Sequence, residues 1–87
     1  MSIRLVIIGA GGLGREVLWQ IKENPLENEK YNILGFVDDN KDLVGKEVNG
    51  YPVLGNLEWL LNCNEPMAAV AAIGNSKIRK KIVTRLK

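Results

Sequence analysis

In this sequence the glycine and acidic residues have the types and the spacing most suited to binding a ligand. Gly9, Gly11 and Gly14 form the pattern G-x-G-x-x-G in the stretch GAGGLG, directly after an apolar run. In that pattern the first glycine permits a tight turn, the second lets an anion approach the backbone, and the third lets a helix pack on a strand. We expect the free amides of Gly11, Gly12 and Leu13 to bind phosphate where the helix starts.

Two further pairs of residues follow predicted strands and are candidates for ligand contact. Asp38 lies 24 residues after Gly14, near the spacing at which an acid binds a ribose hydroxyl, and Asp39 is beside it. The two carboxylates could bond a ribose and a base edge, or one could start the following turn. Gly74 and Asn75 end the third apolar run. Asn75 could contact a base or sugar, or cap the next helix.

No catalytic residue and no metal site are predicted. The sequence contains no histidine and a single cysteine, Cys63. A zinc site would have to be built from carboxylates and one thiol, and no nucleophile elbow or serine beside a base is present. We therefore expect the chain to bind a ligand without transforming it, and Cys63 to be a core or boundary residue.

Composition and charge favour one packed domain over residues 1–87. The hydrophobic fraction is 46% and the charged fraction 25%, which is typical of globular proteins. Six of the 12 basic residues lie in 77–87 without an acid, so the preceding part has six bases against 10 acids, a net charge of −4. We expect a solvated helix face there rather than a nucleic-acid site. No apolar run has the length of a membrane span or signal peptide, which predicts a cytoplasmic protein without a membrane partner.

Hydrophobic periodicity predicts the elements that must position these residues. The strands are 3–8, 31–40 and 67–74, and the helices are 14–24, 56–62 and 75–87. Asn49-Gly50 predicts a small β-hairpin flap outside the main sheet. The order indicates an α/β fold, a three-layer Rossmann-like parallel sheet with strand order 2-1-3 favoured over 3-2-1, because 2-1-3 brings the glycines and Gly74 to one crevice.

Three large side chains on the predicted helices have alternative interpretations. Arg15 could reach a phosphate or face solvent. Trp19 lies opposite the apolar stripe of its helix, so it is either covered by residues 25–30 or exposed as a contact for another domain or subunit. Trp59 is expected in the core.

Four segments of the sequence carry a resemblance to a known family, and in chain order they are LVIIGAGGLGREVLWQIKEN, ILGFVDDN, GKEVNGYPVLG and AIGNSKIRKKIVTRL. Together they resemble the N-terminal domain of sugar O-acyltransferases of the NeuD/PglD-like group. The resemblance covers essentially the whole chain. It implies a Rossmann-like domain that binds a nucleotide-sugar, typically a UDP-sugar. It also implies that acetyl-CoA and the catalytic histidine belong to a trimeric left-handed β-helix of hexapeptide repeats, which we expect to be absent from this chain, together with any cofactor.

The resemblance assigns roles to individual residues of this chain. The glycine-loop contacts to phosphate fall on Gly11, Gly12 and Leu13, the paired acids near the nucleoside are Asp38 and Asp39, and the loop after strand three contains Gly74 and Asn75. The family often has histidine in place of Leu13, so only a backbone contact is expected there.

Three functions remain open at this point. The favoured one is a UDP-sugar-binding domain of a sugar acetyltransferase, either a fragment or a stand-alone chain, with a homo-oligomer or the hexapeptide-repeat domain as its protein partner. The second is an NAD-type dinucleotide-binding module, although three strands supply little more than one mononucleotide half. The third is a domain that only mediates protein interaction.

Overall fold

The computed structural model describes residues 3–63, 66–74 and 78–85. Two helices connect the first two strands, a hairpin and a third helix follow, and two strands end the described part of the chain. In chain order the elements are β1 Ile3–Ile8, α1 Gly12–Glu23, α2 Pro25–Lys30, β2 Tyr31–Val37, β3 Glu47–Val48, β4 Tyr51–Gly55, α3 Leu57–Leu61, β5 Met67–Gly74 and β6 Ile78–Arg85.

The strands form a single mixed sheet in the order β3-β4-β2-β1-β5-β6. β1 is central and pairs in parallel with β2 on one side and β5 on the other, with Ile8 opposite both Val37 and Ala71. The predicted 2-1-3 order of the three parallel strands is therefore confirmed. β1 is apolar throughout its middle because it is covered on both faces: Leu5, Val6 and Ile7 are fully buried.

Helices cover both faces of the sheet, which confirms the three-layer α/β fold. On one face α1 contributes an apolar stripe, in which Val17, Leu18 and Ile21 are buried against residues such as Phe36. The helical period also places Leu13 in this stripe, but its side chain is 50% exposed. On the opposite face a smaller cluster packs around Val37, with Leu60 of α3 and the half-buried Cys63 at its margin. Strand residues alternate between these two clusters, as the pleat requires.

The hairpin forms where it was predicted, but the prediction that it lies outside the main sheet is wrong. Asn49 and Gly50 both have positive φ and connect β3 to β4, the geometry of a tight two-residue turn. β4 then pairs in parallel with β2, placing Val53 beside Phe36. The physical reason is that β2 would otherwise leave backbone groups unpaired at its outer edge, while burial of Val53 adds apolar area to the core.

The predicted last helix, 75–87, is also contradicted, because Ile78–Arg85 is a strand. β6 pairs antiparallel with β5 along its whole length, from Gly74 opposite Ile78 to Met67 opposite Arg85. Half of its residues are β-branched, which favours strands, and pairing covers the edge of the apolar β5. Apolar residues repeat every four positions in this segment, which predicted a helix. Pairing with the otherwise open edge of β5 outweighs this periodicity.

The segment 25–30, which could have covered Trp19, forms the short helix α2. It does not bury Trp19, whose side chain is 60% exposed and borders a shallow groove with Pro25 and Glu27. Trp59 is 37% exposed, so its predicted core position is wrong. Because α3 has only five residues, it turns Leu60 inward and leaves Trp59 lying over Gly55.

Candidate functional site

The glycine loop joins β1 to α1 at the carboxyl end of the sheet. Gly9 has a φ of +95°, and its N–H donates to the carbonyl oxygen of Val37 at 2.7 Å, which ties the loop to the end of β2. Gly14 is buried where the first turn of α1 passes over the loop, and a Cβ on Gly14 would overlap the carbonyl oxygen of Gly9. The roles of the first and third glycines, the turn and the close packing, follow directly from these contacts.

The start of α1 has no side-chain cap. Gly11 is its N-cap residue with extended backbone, and the first turn contains no acid. Among the residues that the structure describes, no acceptor takes the N–H of Gly11, Gly12 or Leu13. Gly11 and Gly12 are exposed, with open space where a Cβ would stand, and Leu13 is 50% exposed. This helix end therefore presents donors and the positive end of a dipole to solvent.

Asp38 joins the two loops at the ends of β1 and β2. Its Oδ2 accepts from the Ala10 N–H at 2.8 Å, and its Oδ1 accepts from the Asn40 N–H at 2.9 Å. The bond from Ala10, followed by that from Asn40, lowers the pKa of the carboxyl, and partial burial opposes the change. Asp38 is consequently held as a carboxylate, with one backbone donor on each oxygen.

Asp39 is exposed and lies against the start of α3. Its Oδ1 accepts from the Leu57 N–H at 3.1 Å, and the side chain of Asn56 accepts from the Trp59 N–H at 2.9 Å. The two bonds satisfy two of the N-terminal amides of this short helix. The second carboxylate oxygen, Oδ2, has no hydrogen-bond partner among the residues described.

A cleft of about 220 Å³ opens between these loops at the carboxyl ends of β1 and β2. Its walls combine apolar side chains with both acids. It is lined by Ile8, Gly9, Val37, Asp38, Asp39 and Leu57. An apolar cleft with a few convergent polar groups is typical of small-molecule sites.

The predicted site residues thus divide by position. Gly9, Asp38 and Asp39 share the cleft, and Gly11, Gly12 and Leu13 follow at the adjoining helix start. Gly14 lies beneath the loop as a packing residue. Gly74 ends β5 three residues beyond Ala71, the partner of Ile8, at the same end of the sheet. Asn75 lies outside the described residues.

Sequence reasoning did not single out Ile8, Val37 and Leu57, which line the cleft, or Ala10, which donates to Asp38. Ala10 contributes a backbone N–H and Leu57 both a backbone N–H and part of the cleft wall. Backbone roles leave no trace in residue type. Leu57 was detectable only indirectly, because Asn56 before it has the type of an N-cap residue.

Two further properties concern the described residues only. No group of three or more acidic or cysteine side chains within the described ranges is arranged to hold a metal ion. No helix in this part of the chain has the length and apolar character needed to cross a membrane.

Comparison with known protein families identifies the family of this chain. The model of the PglD N-terminal domain matches residues 4–86, nearly the full length, and includes the glycine loop and both acids. A search of curated proteins gives no match. The chain therefore belongs to the PglD N-terminal domain family, the N-terminal domain of sugar acetyltransferases.

Proposed function

We propose that this domain binds a nucleotide-sugar of the UDP-sugar class and presents the sugar for acetyl transfer. In this proposal the diphosphate binds the amides of Gly11, Gly12 and Leu13, and the nucleoside occupies the cleft beside Asp39. The acetyl group comes from acetyl-CoA on a hexapeptide-repeat domain, which also supplies the catalytic base. The family membership supports the acetyltransferase context.

The observation that carries the proposal is the uncapped start of α1 next to the cleft between the loops that follow β1 and β2. A diphosphate has the charge that this helix end favours, and backbone N–H groups would bind its oxygens directly. Arg15, exposed in the first turn, adds a positive charge to the same end of the helix. The two carboxylates at the cleft are acceptors only, so they suit a ligand part that offers hydroxyl or N–H donors.

The use of Asp38 argues against an NAD-type ligand. A dinucleotide fold usually employs the acid after its second strand to accept hydrogen bonds from ribose hydroxyls. Here both oxygens of Asp38 already accept from backbone amides, those of Ala10 and Asn40. In the described part of the chain the sheet also has four parallel strands, β4, β2, β1 and β5, which is fewer than the six of a dinucleotide-binding sheet.

Calorimetric titration of the 87-residue chain with UDP, a UDP-amino sugar and NAD tests the proposal. We expect UDP and the UDP-amino sugar to bind and NAD to bind at least about tenfold more weakly, since only one mononucleotide half is present. Binding of NAD without a response to UDP would contradict the proposal. Silence to all three ligands would favour a domain that only mediates protein interaction.

A matched pair of variants at Gly12 locates the diphosphate. Gly12→Asp places a carboxylate at the first position of α1, where a Cβ meets open space. The acid suits the helix dipole and therefore keeps the fold stable, but it repels phosphate, so UDP affinity should fall by about tenfold or more. Gly12→Asn has the same size without the charge and should retain most of the affinity. Equal affinities of the two variants would place the diphosphate elsewhere.

A further inference from the structure

We infer that Asp38 and Asp39 have different tasks: Asp38 is a positioning residue that holds the glycine loop open for the diphosphate, and Asp39 alone of the two contacts the ligand. This inference rests on the proposed function, because it assigns roles within the same site. It differs from the sequence-based expectation, in which Asp38 had the spacing of a ribose-binding acid and the pair could bond a ribose and a base edge, or one of them could start the following turn.

The first step is the geometry of Asp38. Its carboxylate takes the Ala10 N–H at 2.8 Å, one residue before the N-cap residue Gly11, and takes the Asn40 N–H on its other oxygen at 2.9 Å. It therefore ties the loop after β1 to the loop after β2. Each of these charge-assisted bonds has a good length, and together they fix the orientation of the carboxylate toward the two loops, so that only the second lone pair of each oxygen is left for a further donor.

The second step is the direction in which the N–H groups of the glycine loop point. Because the Ala10 N–H is taken by Asp38 and the Gly9 N–H by Val37, the first two amides of the loop point to protein acceptors. The next three, from Gly11 to Leu13, have no acceptor among the described residues. The loop is thus divided into an anchored half and a half available to an anion.

The third step is the contrast with Asp39. It is exposed, it uses only Oδ1 on the Leu57 N–H at 3.1 Å, and it borders the cleft from the side of α3. Oδ2 is available to accept from a donor in the cleft while the bond to Leu57 stays intact. Asp39 can therefore contact a ligand without giving up its contact within the protein.

Titrations with inorganic diphosphate and with UDP separate the two tasks. Asp38→Asn should weaken both ligands by the same factor, about tenfold, because it replaces one of the two charge-assisted bonds that shape the loop. Asp39→Asn keeps an oxygen for the Leu57 N–H and should weaken UDP while leaving inorganic diphosphate unchanged. The inference is overturned if Asp38→Asn weakens UDP alone, which is the result expected of a residue that contacts the nucleoside.

A measurement on the unmodified chain covers the case in which Asp38→Asn does not fold. The scalar coupling across the hydrogen bond between the Ala10 nitrogen and the Asp38 carboxyl carbon should be present in the free protein and persist with UDP bound. Its disappearance on binding would show that the ligand takes over Asp38 and would overturn the inference. If neither ligand binds the unmodified chain, the proposed function fails, whereas an observed coupling still establishes that Asp38 holds the loop.

Discussion

The starts of α1 and α3 lie near the same cleft and are built in opposite ways. α3 has five residues, and side chains of Asn56 and Asp39 accept from two of its first amides. α1 has 12 residues, begins at Gly12 and has no side-chain cap. A short helix with little buried surface depends on its caps, whereas α1 is held by its buried stripe and can leave its amides to a ligand. This difference supports our proposal that the uncapped start of α1 binds the diphosphate.

The largest effect on stability should come from Gly14→Ala, which disrupts the packing beneath the start of α1. The added Cβ overlaps the carbonyl oxygen of Gly9, so the helix or the loop must move. We expect a loss of about 3 kcal/mol in the free energy of unfolding, measured by urea denaturation. Gly12→Ala is the control, because its Cβ meets open space and should not destabilise. Equal midpoints for the two variants would contradict the close approach described above.

The second effect concerns the cap of α3. Asn56→Ala removes the acceptor of the Trp59 N–H and should lower the free energy of unfolding by about 1 kcal/mol. Asn56→Ser retains an acceptor and should recover most of the loss. Circular dichroism during thermal unfolding measures both. Unchanged stability of Asn56→Ala would mean that Asp39 alone is enough to cap this helix.

A smaller effect is expected when α1 is given the kind of cap that α3 has. Gly11→Ser fits the extended backbone of the N-cap residue, where a Cβ meets open space, and its hydroxyl can accept from the first turn. Stability should rise by a few tenths of a kcal/mol, while affinity for inorganic diphosphate falls because the side chain competes for the same amides. Gly11→Ala supplies no acceptor and should not gain stability. A serine variant that binds diphosphate as tightly as the unmodified chain would break the link between the missing cap and binding.

The last prediction concerns how the free energy of unfolding depends on pH at acid pH. The pKa of Asp38 is lowered in the folded protein, so its contribution to stability is complete above the unfolded-state pKa of about 3.9 and is lost as the pH falls through the folded-state pKa. The difference in stability between the unmodified chain and Asp38→Asn should therefore shrink below about pH 4. Chemical denaturation at pH 6 and at pH 2 to 3 measures it. Parallel pH profiles would show that the bonds to Ala10 and Asn40 do not favour the carboxylate.

Local patterns were sufficient for much of the fold. The apolar run before GAGGLG predicted β1, and Asn49-Gly50 predicted the turn of the hairpin. The helical spacing of Leu13, Val17, Leu18 and Ile21 predicted the buried face of α1, of which only Leu13 is exposed. The periodicity of residues 56–62 predicted the helix α3. Each of these depends on contacts between residues near in sequence or on the conformational preference of one residue, so a single sequence contains the information.

The errors concern elements whose state depends on a distant partner. β4 enters the sheet because β2 has a free edge, and Ile78–Arg85 is a strand because it pairs with β5. Trp59 stays partly exposed because α3 is too short to bury more than one side of itself. Periodicity within a segment does not report which sheet edge is open.

The sequence by itself determined which residue types stand at the site and in what order: glycines after β1, paired acids after β2, and the family to which the chain belongs. Only the tertiary structure decided how the two acids are used. Asp38 and Asp39 are adjacent and chemically identical, but the backbone at the end of β2 turns one toward the Ala10 amide and the other toward α3. The physical reason is that a carboxylate accepts hydrogen bonds from the donors that lie within reach, and those donors come from parts of the chain that are distant in sequence.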